Sequence, residues 1–262
     1  MSATPTPRRL YVHDDLTEAA WSAPRRLATV RLVDALFTRV RREPHTVVLT
    51  LAEQLDAILA RGGRPPFAAA VGIGAAGQRV ARDLHARAGW FPTILRIDVS
   101  RVEDGRGDYA LTGPAPLAEQ LAAVPGSGPL AVVDDTLFSG LTLRAVLGAL
   151  PPSARRRAHA FCLRAVAESV PAVERLCPVT IGFAAPGRIL EDVSFINASG
   201  LVRRGAIRRA GAPPLAFFER PEWMRAWFPS GAAEIVRVCR RLHALLDTPA
   251  RAGASLGAAR AV

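Results

Sequence analysis

Apolar and polar positions change their spacing along this chain, and the changes mark its elements. From about Pro24 to Arg42, Leu27, Val30, Leu32, Val33, Leu36, Phe37 and Val40 recur at the three- and four-residue steps of a helix with one buried face. Thr50 reads as the cap of a second helix over residues 51–60, with Glu53 at the position that closes a capping box, and the Gly/Pro-rich stretch 61–66 ends it. Residues 67–73 are then a short, continuously apolar run, followed by Gly74-Ala75-Ala76-Gly77 and a helical pattern to residue 88. Further apolar runs at 92–99, 109–112, 130–133, 158–163 and 179–184 read as strands, with helices at 117–123, 141–150 and 169–176 between them. Residues 1–16 read as a loose lead.

Short apolar strands alternating with helices predict an α/β fold whose central parallel sheet is covered by helices on both faces. In such sheets a ligand binds beyond the carboxyl ends of the strands. Past residue 186 the periodicity weakens through the pairs Arg203-Arg204 and Arg208-Arg209. An aromatic cluster follows (Phe217, Phe218, Trp223, Trp227, Phe228), and then a last helix over 231–246. The aromatics favour packing over stacking on a flat ligand. The predicted division is a helical N-terminal extension over 1–64, a core over 65–186, a C-terminal region with its terminal helix over 187–250, and a disordered tail over 251–262.

Composition narrows the class. Half of the 262 residues are apolar and 22% are charged, which suits a globular chain with a sizeable core. No apolar run approaches the ~20 residues of a membrane-spanning helix, and the first residues lack the apolar stretch of a secretory signal. The expectation is a soluble, cytoplasmic protein without a membrane partner. All 34 basic residues are arginine and the net charge is +11. Without lysine, Schiff-base chemistry and a Walker-type Gly-Lys phosphate loop are excluded. The positive field favours anionic partners such as phosphate, pyrophosphate or nucleic acid, and it equally describes a generally basic surface. Cys162, Cys177 and Cys239 have no metal-ligand spacing and read as reduced core thiols. The five histidines are scattered, so no protein-held metal is predicted.

The segment from Leu130 to Thr142 carries the chemistry. A buried strand ends at Asp134-Asp135, adjacent carboxylates able to accept hydrogen bonds from two neighbouring sugar hydroxyls. Thr136, Leu137 and Phe138 lead to Ser139-Gly140-Leu141-Thr142, which opens a helix whose unpaired backbone N–H groups and hydroxyls suit a phosphate. A diol acceptor beside a phosphate cradle describes ribose 5-phosphate.

The whole segment resembles the phosphoribosyl pyrophosphate (PRPP) signature of the type I phosphoribosyltransferases, over a region spanning roughly residues 65–186. The resemblance implies a type I phosphoribosyltransferase-like sheet with a C-terminal hood. It also implies transfer of a phosphoribosyl group from PRPP, with Mg²⁺ bound alongside it, to a nitrogenous acceptor with release of pyrophosphate, or the reverse on a nucleotide. It assigns residues 134–142 to ribose 5-phosphate. Gly74, Ala75, Ala76, Gly77, Arg96, Ser100 and Arg101 go to pyrophosphate, and a flap is expected over 102–107, with Arg101 or Arg106 closing on the reacting centre. Asp134, Asp135 and Arg101 become the catalytic residues.

For the acceptor, the hood is similar to that of hypoxanthine-type enzymes. That likeness assigns Phe138, Arg188 and Leu190 to the acceptor, with Arg188 meeting an exocyclic oxygen. Phe138 departs from the pattern: those enzymes carry an acid there, and phenylalanine transfers no proton, which weighs against a 6-oxopurine. Glu191 and Asp192 read either as a solvated loop or as partners of a basic heterocycle. A homodimer is the expected assembly. The competing reading is a non-catalytic regulator that senses PRPP and turns its arginines toward RNA or DNA, although no nucleic-acid module is recognisable.

Overall fold

Five of the short apolar runs lie side by side in one all-parallel sheet. The computed structural model describes residues 8–62, 66–103, 109–189, 191–207 and 213–246. Its strands are β1 (Arg9–Asp14), β2 (Thr46–Thr50), β3 (Ala69–Ile73), β4 (Ile94–Ile97), β5 (Ser100–Glu103), β6 (Tyr109–Thr112), β7 (Leu130–Leu137), β8 (Ala158–Val166), β9 (Val179–Ala185) and β10 (Val193–Asn197). Two compact units emerge. One contains residues 50–194 together with Arg8; the other joins residues 9–49 to the chain from Phe195 onward.

The first unit is built on the sheet β4-β3-β7-β8-β9. Its strands read as unbroken apolar runs because both faces are buried. Ala69, Val71 and Ile73 with Leu130 and Val132 enter one core cluster, and Ala70 with Ala131 and Val133 enters the other. This is the two-residue alternation of a strand resolved into two cores. Helix Leu141–Ala149 covers the first face through Leu143, Val146 and Leu147. Helices Leu51–Arg61 and Gly74–Ala88 cover the second through Leu55, Ile58, Val80, Ala81 and Leu84. The capping box at Thr50 and Glu53 is present: each side chain bonds the other residue's backbone N–H.

Several boundaries differ from the sequence-based ones, for tertiary reasons. The strand expected to stop at Val133 runs on through the acidic pair to Leu137, because β8 also extends and offers partners (Thr136↔Arg164, Leu137↔Ala165). Residues 109–112 do form a strand, but β6 pairs antiparallel with β5 as a separate hairpin, with Arg101 opposite Leu111. Helix Leu51–Arg61 packs on the sheet rather than belonging to an N-terminal extension. Its Arg61 Nη1 donates to the Ile181 carbonyl and, at 3.0 Å, to that of Gly182.

In the second unit, β10-β1-β2 form a three-stranded sheet. Helices Arg26–Val40 and Ala232–Leu246 share one core, with Leu32, Val33, Leu36 and Phe37 against Ile235, Val238, Cys239 and Leu242. The loose lead expected at the N-terminus is thus a strand from Arg9, with Leu10 and Val12 fully buried. The aromatic cluster packs: Phe218 and Phe228 are buried, and Phe217 stacks on Trp223 with 4.3 Å between ring centres. The tail expected over 251–262 lies outside the described residues. Among the described residues no helix is long and apolar enough to cross a membrane.

Candidate functional site

The sheet register sets the site. β3, β7 and β8 are parallel neighbours, with Gly72 beside Val133 and Asp134 beside Cys162, so the carboxyl ends of three central strands come out together. Beyond β3 the chain turns directly into helix Gly74–Ala88; beyond β7 it turns through Phe138–Gly140 into helix Leu141–Ala149.

At the end of β7 the two carboxylates face unlike surroundings. Asp134 is buried at 8% exposure, and its Oδ1 accepts the backbone N–H of Asp135 at 2.8 Å. Burial first, and the neighbouring Asp135 charge second, hold its carboxyl well above the usual carboxylate range, while the Arg101 guanidinium pulls the other way. Asp135 is more open. Its Oδ2 accepts from Thr136 Oγ1 at 3.1 Å and from Arg164 Nη2 at 3.1 Å. Arg164 comes from β8 and is 3% exposed. Sequence reasoning passed over this residue, although a lone charge inside the apolar run Phe161-Cys162-Leu163-Arg164-Ala165-Val166 is itself a signal, since buried arginines are paired.

The helix start expected to cradle a phosphate follows. Gly140 caps the helix in the left-handed region (φ +75°), a conformation that suits glycine. Ser139 is exposed and its Oγ accepts the Leu141 N–H at 3.4 Å. Thr142 is the second residue of the helix, 6% exposed, and its Oγ1 accepts from Arg101 Nε at 3.0 Å. Arg101 therefore reaches from the β5–β6 hairpin to the start of helix Leu141–Ala149. Leu137 is buried and Phe138 half-buried beside the cradle.

On the β3 side, Gly74 takes a positive φ of +62° with open space around its Cα, and Ala75 is exposed, so this helix start presents free backbone to the same end of the sheet. Gly77 serves another purpose. A Cβ there would stand 2.3 Å from the Val133 carbonyl oxygen, so the glycine lets the helix press against β7. Arg96 donates from Nε and Nη2 to Asp98 Oδ1 at 2.8 and 2.6 Å. The hairpin β5–β6 stands where a flap was expected, with Ser100 and Arg101 on its first strand; Arg106 and the rest of 104–108 lie outside the described residues.

Of the residues expected to meet an acceptor, Arg188 pairs locally with Glu191 Oε2 at 2.6 Å and Asp192 Oδ2 at 3.4 Å, which engages both carboxylates considered for a basic heterocycle. Leu190 lies outside the described residues. No group of three His, Cys, Asp or Glu side chains among the described residues could cage a metal. The adjacent carboxylates of Asp134 and Asp135 still suit a hard cation that keeps water and phosphate oxygens as its other ligands.

No family model and no curated protein matches the chain. Solved structures that the chain is similar to include a purine phosphoribosyltransferase from Pyrococcus horikoshii, 17% identical, covering 57% of this chain and 91% of that one with a TM-score of 0.40. Another is the xanthine-guanine-hypoxanthine phosphoribosyltransferase of Helicobacter pylori, 16% identical, covering 55% and 86% with a TM-score of 0.40. A hypothetical protein from Neisseria gonorrhoeae with bound ppGpp is 16% identical, covering 56% and 85% with a TM-score of 0.41. Each of these likenesses spans little more than half of this chain.

Proposed function

We propose that the unit built on β7 binds PRPP and transfers its phosphoribosyl group to a nitrogenous acceptor, releasing pyrophosphate, or runs that reaction in reverse. One observation carries the reading. At the end of a central parallel strand, two carboxylates of unlike burial are followed within one turn by a hydroxyl-bearing, glycine-capped helix start, and a cation from the neighbouring hairpin reaches into that start.

In this reading Asp134 and Asp135 accept the ribose hydroxyls, and Arg164 fixes the orientation of Asp135. The amides of residues 137–142, with the Ser139 and Thr142 hydroxyls, take the 5-phosphate. Amides at Gly74–Gly77, with Arg96 and Ser100, face the pyrophosphate. Breaking the bond from C1 to pyrophosphate builds positive charge on the sugar and negative charge on the leaving group, so fixed donors and carboxylates contribute more than a nucleophile would. Mg²⁺ held through the Asp134/Asp135 pair and the pyrophosphate would neutralise the leaving group when bound. The hairpin excludes water from a donor that water would otherwise hydrolyse. Phe138, Arg188 and Leu190 are the acceptor-side residues, and the absence of an acid at position 138 argues for an acceptor that needs no proton removed there.

The test is a panel of nitrogenous bases and amines offered with Mg-PRPP while pyrophosphate release is followed. One acceptor class should support turnover, and Asp134→Asn should abolish it. If no acceptor releases pyrophosphate while RNA or DNA binds tightly and the binding falls steeply with salt, the protein is a regulator and the transferase reading fails.

A further inference from the structure

We infer that Arg101 is a ligand of the substrate's 5-phosphate, not of its pyrophosphate, and that Gln120 presets it there. The inference rests on the phosphoribosyl reading of the same site and divides that site differently from the sequence pattern, which put Arg101 with the leaving group.

The first support is the contact itself. Arg101 Nε donates to Thr142 Oγ1 at 3.0 Å, and Thr142 is a buried member of the helix start that forms the phosphate cradle. Engaging Nε leaves the two terminal nitrogens of the guanidinium, a fork matched to phosphate oxygens. The hydroxyl accepts from the arginine through its lone pair and keeps its own proton to donate, so one phosphate oxygen can be shared by both groups.

The second support is the way the hairpin is held. Asp98 precedes β5 and Ala115 follows β6, and one side chain ties both feet. Gln120 Oε1 accepts the Asp98 N–H at 2.7 Å, while Nε2 donates to the Ala115 carbonyl at 2.8 Å and to that of Asp98 at 3.2 Å. Gly113 admits this closeness, because a Cβ there would stand 2.6 Å from the Asp98 carbonyl oxygen and 3.0 Å from Gln120 Nε2. Val99 and Leu117 at the base of the hairpin pack against the core of the sheet, but apolar packing covers the base only in part. A cavity of about 370 Å³ opens beside it, bounded by Asp98, Val99, Leu111, Pro114, Leu117 and Gln120. The carboxamide therefore links the two feet of the hairpin and, beside that packing, sets the direction in which Arg101 leaves it. Gln120 is a positioning residue and Arg101 a direct ligand.

Calorimetric titration of the full chain with ribose 5-phosphate and, separately, with Mg-pyrophosphate tests this. Arg101→Ala should weaken ribose 5-phosphate binding by about tenfold or more, the usual worth of a charge-assisted pair, and leave pyrophosphate binding within about twofold. Gln120→Ala, which touches neither ligand, should weaken ribose 5-phosphate in the same selective way by a smaller factor. The opposite selectivity in Arg101→Ala, or equal loss of both ligands, overturns the assignment while leaving the proposed site standing. Unchanged ribose 5-phosphate binding in Gln120→Ala overturns the role given to Gln120. A wild-type protein that binds neither ligand brings down the site reading and this inference together.

Discussion

Asp134 and Asp135 are neighbours in sequence, yet replacing each by asparagine should move stability in opposite directions. Asp135 is the carboxylate partner of Arg164, which is 3% exposed, whereas Asp135 itself is 27% exposed. Removing its charge leaves a buried guanidinium without this carboxylate. Breaking a buried pair in this way costs on the order of 3–5 kcal/mol, and the partial exposure of Asp135 argues for the lower end, about 3 kcal/mol. An asparagine oxygen still accepts one hydrogen bond, and Asp134 is relieved of a like charge, so the loss should not exceed that figure. In a chain of this size it corresponds to a fall of roughly 6–12 °C in melting temperature. Asp134 is the reverse case. Its folded-state pKa is raised, so the folded protein holds that proton more tightly than the unfolded chain does. Stability is then lost as pH climbs from the ordinary carboxylate range to the raised value. Asp134→Asn removes this cost, so its melting temperature should match wild type in acid and exceed it above that window. Differential scanning calorimetry of both variants between about pH 4 and pH 8 decides the matter. A destabilised Asp134→Asn at the alkaline end, or an Asp135→Asn indistinguishable from wild type, would refute the account of the two environments. The contrast also makes Asp134→Asn the cleaner test of the proposed site, since its fold is not put at risk.

Two further outcomes follow from packing. Gly77→Ala drives a methyl into the Val133 carbonyl and should cost about 1–3 kcal/mol or more, while Gly74→Ala meets no atom and carries only the left-handed backbone penalty of about 1–2 kcal/mol; urea titration measures both, and a Gly77→Ala protein as stable as wild type would contradict the geometry. Cys162, Cys177 and Cys239 are all buried free thiols, and burial raises each, with Cys177 pushed up to about 11 and Cys239 to about 12. A thiol reagent at neutral pH should label none of them quickly in the native protein and all three in denaturant, and rapid native labelling would show that the cores open.

What could be read from sequence was local. The capping box at Thr50 and Glu53 and the helical stripe from Leu32 to Val40 depend on residues a few positions apart, and both are present. The turn after the acidic pair was legible for the same reason: Asp134 to Thr142 span one strand end and one helix start. Contacts between distant segments were not. Arg9–Asp14 shows too little alternation to announce a strand, because it becomes one only beside β2 and β10. Arg164 meets Asp135 across a parallel register, and Arg101 meets Thr142 from a hairpin 41 residues earlier. The shared core of residues 9–49 and 195–246 is likewise a matter of pairing, which periodicity does not encode.

That split core has a consequence for how the protein is made. Residues 9–49 reach the end of the ribosomal tunnel long before Phe195 exists. At about 5–20 residues per second the wait is roughly 7–30 s. Through that interval Leu32, Val33, Leu36, Phe37 and Val40, all buried in the finished unit, have no Ile235, Val238 or Leu242 to cover them. Residues 50–194, by contrast, emerge as one uninterrupted stretch and can collapse on their own sheet at once. The nascent chain should thus carry a finished central unit flanked by a sticky amphipathic helix in search of its partner. A chaperone that recognises short apolar helices, and a translation rate that shortens the gap, would both raise the yield of native protein.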